Sequence, residues 1–268
     1  MCSSDLNPKL IVLSILGFVS FSCLASSTYI VNDLFDLDSD RQHKTKRNRP
    51  LAAGLISIPN AIIIAILLII FSLSLAVTTG KLFSYALFAY LVCTLTYSFK
   101  VKKYFGIDLI FLAALYTMRI LSGAAILNIP VSFWLLSFSM FVFFSLALVK
   151  RCAELQSLME QNKVQASGRD YTVDDYNILT ALGISSGLLS ILMFCFFTQS
   201  DALTNQYQKP SLIWLIIPAL GYWLTRMWIK TNRGEMHDDP VVFSITDKGS
   251  LSCIIFMVLI SQQSRVLD

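Results

Sequence analysis

Charge is what this 268-residue chain has least of: Asp, Glu, Lys and Arg make up 14%, against 55% hydrophobic residues. With a mean hydropathy of +0.65, that scarcity excludes an ordinary soluble domain and indicates a polytopic membrane protein. The six cysteines are scattered, mostly within apolar segments, and form no CxxC, so neither a disulfide framework nor a zinc site follows. Met1-Cys2-Ser3-Ser4-Asp5 has no basic region and is not a signal peptide. There is no low-complexity tract, no soluble second domain and no clear repeat. Residues 1–268 therefore read as a single membrane domain, with no nucleic-acid partner expected.

What the chain does have is length in its apolar runs. Segments 10–31, 59–79, 82–99, 107–127, 132–149, 177–198, 211–229 and 249–260 predict about eight spanning helices, the last of them short. The fold class is all-α, a transmembrane helix bundle. Tight turns at Gly80-Lys81 and around Asn128-Ile129-Pro130 fall on one side; longer polar loops at 32–58, 98–106, 150–176 and 230–248 fall on the other. Those loops and the adjoining helix ends hold 16 of the 21 Lys and Arg, the opposite side holds 4, and Arg119 lies inside a helix. The positive-inside rule then places the longer loops in the cytoplasm. Most of the carboxylates crowd the same side, which points to a site there. This orientation starts the first helix outside, and an alternative expectation is that a preceding helix is missing from the chain.

The acidic stretch Asn32-Asp33-Leu34-Phe35-Asp36-Leu37-Asp38-Ser39-Asp40 directly follows the first apolar run. Continued as a helix, Asp33, Asp36 and Asp40 share one face at i, i+3 and i+7. Carboxylates at a helix C-terminus meet the negative end of the macrodipole and need a cation. Mg²⁺ completed by a substrate diphosphate would satisfy them, whereas a solvated acidic loop is the plainer alternative. Arg41, His43, Lys44, Lys46, Arg47 and Arg49 come next. They suit a diphosphate clamp better than a lipid-attracting patch; His43 has no assigned role. A second acidic pair, Asp170 and Asp174, stands at i and i+4 before the helix that begins near Asn177, where ordinary N-terminal capping explains part of its presence. Arg119 lies twelve positions into segment 107–127. A charge near mid-membrane costs roughly 2.5–3.5 kcal/mol on insertion scales, so Arg119 is expected to face a cavity and touch a substrate anion; hydrogen bonding to backbone carbonyls is the structural alternative. Asp108 on the same helix is too far away to pair with it.

Asn32–Asp40 is similar to the NDxxDxxxD motif of the UbiA superfamily of intramembrane prenyltransferases. Asp170 and Asp174 resemble that family's later aspartate-rich motif, and Tyr97-Ser98-Phe99-Lys100-Val101-Lys102-Lys103 resembles its Tyr-and-Lys motif. The resemblance implies nine helices around a central cavity opening to cytoplasmic aspartate-rich loops. In that family the first motif follows the second helix, and here it follows the first, so the resemblance implies an N-terminal truncation. It further implies Mg²⁺ held by Asn32, Asp33, Asp36 and Asp40, a second Mg²⁺ held by Asp170 and Asp174, and phosphate contacts from Lys46, Arg49 and Lys102. The partners implied are a polyprenyl lipid and a diphosphate-bearing co-substrate.

The expected activity is prenyl transfer with diphosphate as leaving group, in a multi-pass protein of a bacterial inner membrane. The runner-up is phosphoribosyl transfer from phosphoribosyl diphosphate to a polyprenyl phosphate. It is suggested by a resemblance of Arg41, His43, Lys150, Arg151, Cys152, Ala153, Glu154, Arg169, Asp170 and Tyr171 to the decaprenyl-phosphate phosphoribosyltransferase branch. That resemblance places Lys150, Arg151, Arg169 and Tyr171 among the substrate-binding residues. A secondary transporter is the remote alternative, disfavoured because no carboxylate lies mid-helix.

Overall fold

A computed structural model of the chain describes residues 8–42, 46–162, 170–200, 203, 207, 209–236 and 239–264. Among them the regular structure is helical: α1 (Pro8–Phe35), α2 (Leu37–Gln42), α3 (Ile58–Thr79), α4 (Lys81–Phe99), α5 (Ile107–Leu127), α6 (Phe133–Glu160), α7 (Tyr176–Thr198), α8 (Pro210–Ile213), α9 (Ile216–Asn232), α10 (Pro240–Thr246) and α11 (Lys248–Gln263). Among the described residues seven spans are long and apolar enough to cross a membrane, counting Pro210–Asn232 as one; an eighth follows if α10 and α11, bent by 83° at Asp247, are taken together. The protein is thus an integral membrane helix bundle, as its composition requires. Exposed side chains such as Phe18, Ile63, Phe88 and Leu188 suit a lipid environment.

The helix boundaries have local causes. Ser57 accepts a hydrogen bond from the Asn60 N–H at 3.4 Å to start α3, with Pro59 in the first turn. Ser132 does the same for α6 through Leu135 N–H at 3.1 Å. α5 ends where Asn128 adopts the left-handed conformation, φ 54°. Asp239 caps α10, and Asp247 caps α11 through the Ser250 N–H at 2.8 Å. Arg226 holds Asp247 in place through two parallel bonds, Nε to Oδ2 at 2.7 Å and Nη2 to Oδ1 at 2.8 Å. The expected spans match these helices closely. α6 departs from its prediction, running to Glu160, so Lys150 and Arg151 lie inside a continuous helix and not at its end.

The described contacts cluster in two compact units, Met1–Phe111 with Leu115–Val131, and Leu112–Ala114 with Ser132–Asp268. In the first, α1 and α3 are joined by reciprocal bonds: Ser20 Oγ donates to the Ser72 carbonyl at 2.8 Å and Ser72 Oγ to the Ser20 carbonyl at 2.7 Å. Leu24, Ala76, Phe83, Leu87, Tyr90, Leu91 and Leu115 make its core. In the second, Ser145 Oγ donates to the Gly183 carbonyl at 2.7 Å, Ser186 Oγ to the Phe141 carbonyl at 2.7 Å, and Trp228 Nε1 to Ser145 Oγ at 3.1 Å. Small residues and hydroxyls at helix crossings are how bundles associate in lipid, where burial of apolar surface supplies no drive.

Gly183 makes one close crossing, since a Cβ there would sit 2.2 Å from the Trp228 ring. Gly183→Val is therefore expected to destabilise the second unit by about 1–3 kcal/mol. Thermal unfolding in detergent measures it; an unchanged midpoint would mean that Trp228 does not pack as described.

Candidate functional site

The first acidic motif sits where α1 gives way to α2. Helical bonding continues through the break, from Asp36 N–H to the Asn32 carbonyl at 3.0 Å and from Asp40 N–H to the Asp36 carbonyl at 2.8 Å. Asp33 and Asp40 consequently converge, and one guanidinium nitrogen, Arg49 Nη1, lies 2.8 Å from an oxygen of each. Asp36 takes a different partner: Lys102 Nζ is 2.5 Å from its Oδ1 and 3.4 Å from the Asn32 amide oxygen. Asn32 Nδ2 closes the set by donating to Asp36 Oδ2 at 3.0 Å. Asp40 is buried, whereas Asp38 is exposed and stands outside the cluster.

Packing delivers both cations to this rim. Leu51 is buried against Leu37 and Ala61, and a turn over Lys46–Asn48 closed by Arg49 N–H to the Lys46 carbonyl (3.0 Å) precedes it. That anchor brings Arg49 back over α2. Lys46 acts electrostatically on Asp33 from the same turn. Lys102 lies in a short turn, Val101–Lys103, pinned by buried Val101. The rings of Phe35 and Phe99, 4.4 Å apart edge to face, tie the ends of α1 and α4 beside it.

The second acidic segment folds differently from its sequence expectation. Asp170 precedes a turn over Val173–Asp175, and α7 begins only at Tyr176, so Asp170 and Asp174 do not share a helical face. Both are exposed. The capping carboxylate is Asp175, whose Oδ2 accepts from the Thr172 N–H at 2.9 Å and the Thr172 hydroxyl at 3.0 Å. Tyr171 is fully buried, with the Arg151 guanidinium 4.7 Å above its ring. Arg151 is itself buried and paired with Glu154. A desolvated cation–π contact of this kind contributes about 2 kcal/mol. In this structure these two groups hold the turn that carries Asp170 and Asp174. Lys150, one residue before, is half-buried and engaged in contacts of its own. Arg169, His43 and Lys44 lie outside the described residues.

Arg119 is exposed, and no described carboxylate pairs with it. Three tyrosines stand around it: Tyr29 and Tyr90 act on it electrostatically, and its guanidinium lies 5.0 Å over the Tyr116 ring.

The pattern of the UbiA prenyltransferase family matches residues 2–246. The chain belongs to that family. Among curated proteins it is 38% identical over 237 residues to an uncharacterized protein of Sinorhizobium fredii, covering 87% of this chain and 46% of the relative. It therefore spans about half of that relative's length. It is 33% identical over 247 residues to the nodulation protein NoeC of Azorhizobium caulinodans (91% of this chain, 80% of the relative). It is 30% identical over 209 residues to a decaprenyl-phosphate phosphoribosyltransferase of Mycobacterium tuberculosis (77% and 68%). Among solved structures, a UbiA homologue of Archaeoglobus fulgidus bound to GPP and Mg²⁺ superposes with a TM-score of 0.69 at 17% identity. That match covers 93% of this chain and 88% of the homologue, and it establishes a shared fold.

Within this UbiA chain, no three His, Cys, Asp or Glu side chains among the described residues form a metal cage by themselves. Mg²⁺ does not require one, because it is usually held by one or two carboxylates plus substrate phosphates. Asp33 and Asp40 already aim oxygens at one cationic nitrogen, and Asn32 and Asp36 add further hard oxygens. This donor set fits Mg²⁺.

Arg49 would then be a resident counter-ion that Mg²⁺ replaces. Arg49→Gln is expected to lower the melting temperature in metal-free detergent, and added Mg²⁺ to restore it by more than it raises the wild type. An equal response of both proteins to Mg²⁺ would contradict the substitution.

Proposed function

We propose that this UbiA-family protein is a Mg²⁺-dependent membrane transferase with diphosphate as leaving group. Its donor is phosphoribosyl diphosphate and its acceptor a polyprenyl phosphate. The choice of donor rests on one observation, the similarity to decaprenyl-phosphate phosphoribosyltransferase over 77% of this chain. The leaving group rests on the rim at Asp33, Asp36 and Asp40 and its two basic partners. A prenyl diphosphate as donor is the second reading, supported by the GPP-bound homologue of like fold.

In this account Asn32, Asp33, Asp36 and Asp40 would hold Mg²⁺, and the family resemblance alone would give a second to Asp170 and Asp174, with Arg151 and Tyr171 positioning their turn. Bound Mg²⁺ supplies Lewis-acid stabilisation of the charge that builds on the departing diphosphate. Arg49, released from Asp33 and Asp40, turns its fork of N–H donors to phosphate oxygens, and Lys46 and Lys102 add charge from the turns beside it. Lys150 and Arg169 are assigned to the donor's phosphate and hydroxyl groups. Charge donors aligned before the reaction cost no reorganisation when the bond breaks. The apolar helices exclude water from the electron-poor carbon and accept the lipid tail. The proposed orientation puts the rim in the cytoplasm, facing a bacterial inner membrane from within.

Two incubations test the proposal in membranes containing the protein: labelled phosphoribosyl diphosphate with polyprenyl phosphate, and polyprenyl diphosphate with an aromatic acid. A Mg²⁺-dependent lipid product from the first pair only is expected, and Asp33→Ala or Asp36→Ala should abolish it while the protein stays folded. Product from the second pair only would replace the donor assignment. Near-normal turnover in either variant would remove these carboxylates from the site.

A further inference from the structure

A groove about 620 Å³ in volume runs between α7 and α9 of the second unit. The N-terminal end of α7 and the C-terminal end of α9 meet at one end of it, where the Tyr176 hydroxyl donates to Asn232 Oδ1 at 3.3 Å. The floor is fixed: Trp228 is buried, donates to Ser145 Oγ at 3.1 Å and packs its ring against Gly183. Two glycines, Gly187 and Gly221, keep side chains out of the space. A Cβ on Gly221 would meet Ile191 Cδ1 at 3.9 Å, an ordinary contact. The walls at Leu188 and Ile229 are exposed, so the groove opens sideways to surrounding lipid.

Charge enters the lining at that end alone. Arg233, the residue after α9, is exposed, and among the described residues no carboxylate forms an ion pair with it. Glu235 feels its charge but is bonded to Lys230, and Asp174 and Asp175, just before α7, are outside the lining. Asn232 engages its oxygen with Tyr176 and keeps two amide N–H donors beside Arg233. One turn farther in on α7, Thr180 offers a hydroxyl 3.5 Å from the Cys152 thiol. Beyond Thr180 the lining is apolar apart from Thr225. From Thr180 to Ile191, and from Arg233 to Gly221, it covers roughly 16–18 Å of helix axis. That is close to half of a ~30 Å hydrocarbon core, the depth of one leaflet.

We infer that this groove binds one anionic glycerophospholipid of the bilayer, with its phosphate at Arg233 and Asn232, an ester carbonyl at Thr180 and one acyl chain along Gly187 and Gly221. Charge complementarity selects the headgroup. A guanidinium presents paired N–H donors to phosphate oxygens, and a lipid of net negative charge supplies the counter-charge for Arg233. A zwitterionic lipid carries its own cation and gains less. The length of the groove selects the tail: an acyl chain of ordinary length fills one leaflet, whereas a polyprenyl chain of many isoprene units would run past the end. The bound chain makes the packing contacts that the two glycines leave unmade between α7 and α9. This lipid site is independent of the donor and acceptor proposed above.

Native mass spectrometry of the delipidated protein in detergent tests the site, with phosphatidylglycerol, phosphatidylcholine and farnesyl phosphate as probes. The wild type should bind a single phosphatidylglycerol at least tenfold more tightly than phosphatidylcholine. Arg233→Gln should bring phosphatidylglycerol to within about twofold of phosphatidylcholine. Gly221→Leu fills the groove from a position with space for a side chain and should weaken both phospholipids at least fivefold; Arg233→Gln carries the test alone if Gly221→Leu does not fold. A wild type without preference for phosphatidylglycerol would overturn the inference, as would undiminished affinity for it in either folded variant. So would farnesyl phosphate that binds as tightly as phosphatidylglycerol and is lost in the same variants, since the groove would then belong to an isoprenoid substrate.

Discussion

Three carboxylates at the negative end of a membrane helix must be neutralised, and much of the first unit is arranged around that demand. Asp33 and Asp40 share Arg49, while Asp36 takes Lys102. Neither cation is a sequence neighbour of its partner in any helical sense. Each is carried there by a short turn with one buried aliphatic anchor, Leu51 for Arg49 and Val101 for Lys102. Such pairs are weak as stabilisers, because desolvation offsets most of the Coulomb gain. On the proposed function their use would lie in being exchangeable: a divalent cation with its anionic ligand would take over the carboxylates and free both basic groups for phosphate. The same side chains would then neutralise one another before substrate arrives and bind it afterwards.

The second unit solves a different problem. Its acidic turn lies in a polar segment, and order there comes from Asp175 capping Thr172 and from buried Tyr171 lying under Arg151. The latter contact links α6 to the turn before α7. The close crossings at Gly183 and Ser186 set the spacing of those two helices. Rigid helices carry short, specifically pinned turns in both units, so the polar groups are placed by packing that they do not themselves provide.

Much of this was legible in the sequence. Apolar run lengths matched the spans to within a few residues, except for α6, which runs eleven residues past its apolar segment, and Asn32–Asp40 identified the family, whose pattern covers residues 2–246. What escaped was contact between distant segments. Helical spacing puts Asp33 and Asp40 on one face, yet nothing in spacing says that Arg49 would bridge them. Asp170 and Asp174 fit an i, i+4 pattern, but the chain there forms a tight turn, since Thr172 and Asp175 satisfy each other's groups and delay the helix to Tyr176. Arg151 reads as a helix-end cation from its polar neighbours, whereas α6 continues past it and buries it against Tyr171. Arg119 was conspicuous for its cost in lipid. Tyr116 lies one turn before it on the same helix, whereas Tyr29 and Tyr90 come from α1 and α4 and carry no local signal.

On the proposed function, the Asp33–Asp36–Asp40 rim binds a divalent cation together with a diphosphate. Mn²⁺ titration followed by electron paramagnetic resonance, with and without inorganic diphosphate, measures this directly on the purified protein. Mn²⁺ binding is expected to strengthen markedly when diphosphate is present and to be largely lost in Asp33→Asn with Asp36→Asn. Mn²⁺ binding that is indifferent to diphosphate, or that survives in the double variant, would contradict it.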